Sequence, residues 1–171
     1  MKNLVRIPSN EMFDYWRKLE NCSASSPLRP DIPDNTFLAP TEWFTANIEE
    51  VDIQETLMLP VRDFGPLSKN SWQLRSAVDY FAQTFADGSY DPGHPYNADK
   101  MRQLLSWPGR HTSRVIMVSD NQAGPFTILD GNHRAVLLMH EGAIIGASVY
   151  LGLHSAVRQF NWAKRSYERN N

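Results

Sequence analysis

Cysteine is almost absent: Cys22 is the only one in 171 residues, which excludes an internal disulfide framework and a zinc site of paired cysteines. Long apolar runs are missing as well. No stretch reaches the roughly 18 residues of a membrane-spanning helix, and the start, Met1-Lys2-Asn3-Leu4-Val5-Arg6-Ile7-Pro8, lacks the apolar centre of a secretory signal. Both absences point to a cytoplasmic protein with no membrane partner. Neither sign of charge is in excess, with 17 Lys and Arg against 19 Asp and Glu and a formal charge of −2, so the chain has no long-range attraction for nucleic acid or an anionic bilayer. The phosphate-loop, zinc-protease and serine-hydrolase patterns GxxxxGK[ST], HExxH and GxSxG are absent. His94, His111, His140 and His154 have no metal-ligand spacing and read as surface or capping side chains.

What is present is apolar and aromatic. The apolar fraction is 42%, with five Trp, six Tyr and eight Phe, enough for one substantial core, or one domain plus an extension. Ser9 caps a helix through Glu20, with Met12, Tyr15, Trp16 and Leu19 on one face. Residues 21–40 hold four prolines and read as an extended arm, with Trp43 and Phe44 as an aromatic anchor that either packs in the core or meets a ligand. Residues 1–54 are therefore expected to form a helix and arm packed on a main domain of residues 55–171. In that domain the pattern predicts a strand over 55–61 and a helix after Ser71 that buries Leu74, Val78, Phe81, Ala82 and Phe85. A second helix follows over 97–107, burying Met101, Leu104 and Leu105. A hairpin of 114–118 with 126–129, a strand over 144–151 and a closing helix over 154–167 complete an α+β fold, a small mixed sheet with packed helices. Arg158, Arg165 and Arg169 follow helical spacing and read as a solvated face.

The centre of the chain is Phe126-Thr127-Ile128-Leu129-Asp130-Gly131-Asn132-His133-Arg134-Ala135. An apolar strand stops at a polar knot and restarts as an apolar helix. Gly131 suits a backbone angle that other residues tolerate poorly, Asn132 is a good N-cap, and the first-turn amides point back toward the corner. Such a corner attracts anions. His133 and Arg134 add one tunable and one permanent positive charge there, and Asp130 a carboxylate. On spacing alone, a helix-start pair held by Asp130 is the commoner arrangement.

This corner, with Gly142 and the strand after it, resembles the ParB/sulfiredoxin superfamily, whose members carry a Gly-x-His/Arg-Arg signature at this place. The resemblance runs from about Asn97 to Leu153. It implies a nucleotide site in which Gly131, Asn132, His133 and Arg134 hold phosphates. Lys100, in Asn97-Ala98-Asp99-Lys100, matches the nucleotide-contacting lysine of sulfiredoxin. The free-serine kinases of the superfamily place an acid at the position of Asp130, which implies that Asp130 holds magnesium or orients an acceptor hydroxyl, with His133 beside it in the catalytic set. Two members are set aside by the residues themselves. Asn132 stands where sulfiredoxin has its nucleophilic cysteine, and the Glu and Arg pattern of the partition proteins is missing.

The expected activity is transfer of phosphate from ATP or ADP, with magnesium, to a small hydroxyl-bearing metabolite. Asp63, Glu42 and Asp130 all remain candidates for the general base. The alternative is a module that binds a nucleotide or phosphorylated metabolite without turnover. A nuclease is disfavoured by the charge balance and the lack of a basic groove.

Overall fold

The computed structural model describes residues 1–20, 40–59, 64–93 and 95–160. The architecture is α+β, with six strands in one mixed sheet: β1 (Lys2–Ile7), β2 (Glu42–Asn47), β3 (Thr56–Leu57), β4 (Val115–Ser119), β5 (Phe126–Asp130) and β6 (Ser148–Leu153). Their order is β1-β2-β6-β4-β5-β3. The β4–β6 and β3–β5 pairs are parallel, the other three antiparallel.

The central strands are apolar on both faces because both faces are covered. Val115 and Met117 of β4, Phe126 and Ile128 of β5, and Val149 and Leu151 of β6 point into one core. Their alternates Ile116, Val118, Leu129 and Tyr150 point into the other, as the two-residue side-chain period of a strand requires. Helix α1 (Ser9–Glu20) covers the second face with Met12 and Trp16. The first face is covered by α2 (Glu50–Gln54), α3 (Leu74–Phe85), α4 (Pro95–Ser106) and α5 (Asn132–His140). Helix α5 is buried along most of its length, Asn132 to Leu138, with Ala135 to Leu138 in the first core and the polar Asn132, His133 and Arg134 buried at its start.

Several expectations are corrected. Residues 1–54 hold more than a helix and an arm: β1 and β2 extend the sheet itself, β2 pairing with β6 from Glu42 opposite Leu153 to Asn47 opposite Ser148. Trp43 is a core side chain, 1% exposed and edge-on to Phe13 at 6.3 Å, so its role is packing. Pro40 aside, the expected arm and Cys22 lie outside the described residues. Of the strand expected over 55–61, Thr56 and Leu57 form β3 and Glu55 caps α2; residues 60–63 lie outside the described set. Helix α3 buries Ala77 and Tyr80 in place of Ala82 and Phe85. The last strand is shifted to Ser148–Leu153. The closing helix does not run through Phe160: a single 3-10 turn, Val157–Gln159, leads to Phe160 in an extended conformation (φ −76°, ψ 130°). Burial of Val157 in the second core and the Arg158–Asp120 ion pair hold that turn against the sheet. Tyr167, Arg165 and Arg169 lie outside the described residues.

Candidate functional site

Strand β5 delivers Asp130 to its end, and the chain turns at Gly131 with φ +91°, in the left-handed region that costs other residues strain. A second constraint acts on the same atom position. A Cβ on Gly131 would lie 2.7 Å from Arg134 Nη2, so a side chain at 131 would push the guanidinium from its place over the turn. Gly131, not Asn132, occupies the N-cap position. The side chain of Asn132 is turned inward instead: its Oδ1 accepts the Leu59 N–H at 3.0 Å and its Nδ2 donates to Ile128 O at 3.5 Å, tying the segment after β3 to the corner. The first intrahelical bond of α5 runs from the Ala135 N–H to Gly131 O at 2.8 Å. The N–H groups of Asn132, His133 and Arg134 precede it and are the orphan donors of the helix start.

Arg134 is 6% exposed. Its Nη2 donates to Asp130 Oδ2 at 3.1 Å and to Arg114 O at 3.2 Å. The same carbonyl of Arg114 accepts the Tyr15 hydroxyl at 3.2 Å, so α1 braces the strand that braces the arginine. Arg134 Nε is buried without a partner, and no described group accepts from Nη1. A permanently charged, planar donor fork is thus held in place with donors left over.

His133 departs from expectation. It is 5% exposed, and burial, reinforced by the charges of Lys100 and Arg134, pushes its pKa down to about 4. At neutral pH it is an uncharged imidazole and adds no positive charge to the corner. Its Nε2 lies 2.8 Å from Asn97 Oδ1, and the edges of Phe64 and Tyr96 meet it at 5.3 and 6.0 Å.

These residues share one cavity of about 350 Å³, within the range of small-ligand sites. Asp130, Gly131, Asn132, His133 and Arg134 line it from the corner, and Lys100 from α4. Lys100 is half-buried and makes no hydrogen bond or ion pair among the described residues. The expected phosphate-site residues, Lys100 and Asp130 to Arg134, are therefore in one place. Sequence reasoning missed Tyr96 on α4, Phe64, and Leu19 and Glu20 at the end of α1; Gln103 on α4 and Trp107 just past its end complete the walls. The α4 set carried a legible signal, since Tyr96, Lys100, Gln103 and Trp107 fall at i, i+4, i+7 and i+11, one stripe of a helix. Tyr96 at 53% and Trp107 at 37% are exposed rings on that stripe.

Compared with family models, with curated proteins and with solved structures, the chain finds no match.

Of the other candidates, Glu42 is ion-paired to Arg6 at 2.6 Å on the outer part of the sheet and takes no part in the cavity. Asp63 and His94 lie outside the described residues. His111 meets Glu141 at 3.4 Å, His140 packs on Phe81, and His154 Nδ1 accepts the Ala156 N–H at 3.1 Å. Among the described residues no three His, Cys, Asp or Glu side chains gather as a metal site, and no helix is long and apolar enough to cross a membrane.

Proposed function

We propose that this protein binds ATP or ADP through the Asp130–Arg134 corner and transfers phosphate to a small hydroxyl-bearing metabolite. The observation that carries the reading is the convergence of Arg134, Lys100 and the α5 N-terminus on one cavity with exposed aromatic rings at its wall. Phosphate needs donors and positive charge, and Arg134 Nη1, the Lys100 ammonium and the first-turn amides have no acceptor among the described residues. Tyr96 and Trp107 are rings on which a nucleobase can stack. The resemblance of the corner to the ParB/sulfiredoxin superfamily, and to its free-serine kinases in particular, points the same way. The cytoplasm, where such nucleotides are abundant, is the compartment this reading takes.

Magnesium fits as a companion of the phosphates. The cavity holds two carboxylates, Asp130 and Glu20, and a nucleotide-bound magnesium takes one or two carboxylates with the remainder of its shell from phosphate and water. When bound, it would supply charge neutralisation at the transferring group. The chain's own part is to orient: Arg134 is fixed by Asp130, Lys100 adds a second cation from α4, and Asp130, 17% exposed, is the carboxylate next to the phosphate donors.

The pairing of Asp130 with Arg134 at 3.1 Å favours the second reading, a binding module without turnover, because it gives the carboxylate a structural task. Asp130→Asn separates the two. In a phosphotransferase it lowers turnover at least about a hundredfold while nucleotide affinity stays within about tenfold. Phosphate transfer is measured across hydroxyl-bearing metabolites, serine included. Wild-type protein without turnover on any of them leaves the binding module; equal turnover in both proteins makes Asp130 a turn residue only.

A further inference from the structure

Beside the Asp130 carboxylate, which accepts from Arg134, the corner is mostly donors, and His133 supplies a second acceptor. Asn97 is fully buried, and its Nδ2 donates to Pro92 O at 3.2 Å, so its Oδ1 is the atom facing His133 Nε2 at 2.8 Å. A carbonyl oxygen there requires a proton on Nε2. In a neutral ring that leaves Nδ1 as a bare lone pair. No described group donates to Nδ1, and it is not among the polar atoms sealed from solvent without a partner. His133 lines the cavity. A lone pair set among Lys100, Arg134 and the α5 amides repels a fully ionised oxygen and accepts from one that carries a proton.

We propose that His133 Nδ1 is the specificity-determining acceptor of this pocket, taking a hydrogen bond from an O–H of the ligand beside its anionic group. The ligand class is an oxyanion with an adjacent hydroxyl. This deepens the phosphate reading and rests on it: the hydroxyl of a phosphate acceptor and a protonated phosphate oxygen offer the same chemistry. Burial beside two cations keeps the ring uncharged at neutral pH, so the histidine selects a proton on the ligand and supplies none of its own.

Hydrogen phosphate and sulfate make the test. Both are tetrahedral dianions at pH 7.5, and only hydrogen phosphate bears an O–H. Titrated into wild-type protein at equal ionic strength, hydrogen phosphate is expected to bind at least about tenfold more tightly. Nitrogen-15 spectra of histidine-labelled protein should show His133 protonated on Nε2 and bare on Nδ1, and His133→Phe should bring the two affinities within about threefold. Asn97→Leu releases the tautomer without touching the ligand and should shrink the preference as well. Equal binding of the two anions by wild type overturns the inference and leaves the phosphate site standing, and so does a proton on Nδ1. A preference that survives in a folded His133→Phe also overturns it. Failure of both anions to bind removes the phosphate site and this inference together. The wild-type comparisons need no variant to fold.

Discussion

Acid should unfold this protein early, and one buried imidazole sets much of the reason. His133 has its pKa lowered to about 4 in the folded chain by burial, with Lys100 and Arg134 adding to the effect, whereas an unfolded histidine titrates near 6.5. The native state thus refuses a proton that the unfolded chain accepts. The sign follows from linkage: stability is fully present above about pH 6.5 and falls as pH drops toward about 4. Between pH 7.5 and pH 5 the two pKa values translate to a loss of about 2 kcal/mol, and to about 3 kcal/mol once both states are protonated. For a chain of this size each kcal/mol is about 2–4 °C in midpoint. The assay is urea unfolding by circular dichroism at pH 7.5, 6.5, 5.5 and 5, on wild type and on His133→Gln, which cannot titrate. Only the difference between the two proteins belongs to His133, since the carboxylates titrate in both. The variant should be less stable at pH 7.5 and should close on wild type by about 2 kcal/mol at pH 5. Parallel curves would refute the neutral, buried histidine.

Gly131→Ala should cost about 1–3 kcal/mol in urea unfolding, through the φ of +91° and the contact with Arg134, and should weaken ADP binding because the guanidinium is displaced; unchanged values in both assays would count against the turn. Asn132→Ala strips the buried Leu59 N–H of its acceptor and should cost about 1–3 kcal/mol, an effect absent if the segment after β3 is held elsewhere. Lys100→Ala should leave stability within about 0.5 kcal/mol, as it makes no described ion pair, yet lower ADP affinity about tenfold by calorimetry.

The parts of this fold that were legible are those encoded locally. The turn at Gly131, the hairpin of β4 and β5 and helix α1 each carry their own periodicity and end signals, and each lies close to where its residues put it. Strand β1 carries no such signal. Its residues are mostly exposed, and it is a strand because β2 offers backbone partners more than 35 residues away. Likewise β2 is held by β6, a hundred residues on, so its aromatic pair read as an anchor and not as sheet. At the site, the corner motif was readable and the state of its histidine was not. The neutral ring follows from burial against Phe64 and Tyr96 and from the amide of Asn97, which are tertiary facts. The same holds for Leu19 and Glu20, brought to the cavity by the packing of α1 across the sheet.

The central claim is that the Asp130–Arg134 corner holds phosphate. Calorimetric titration of ADP with magnesium into wild type and Arg134→Gln, with adenosine as the ligand lacking phosphate, addresses it most directly. Wild type should bind ADP, bind adenosine far more weakly, and lose about 2–3 kcal/mol of ADP affinity, roughly 30- to 150-fold, in a variant shown to be folded by circular dichroism. Equal affinity for ADP and adenosine, or an ADP affinity unchanged by Arg134→Gln, would contradict it.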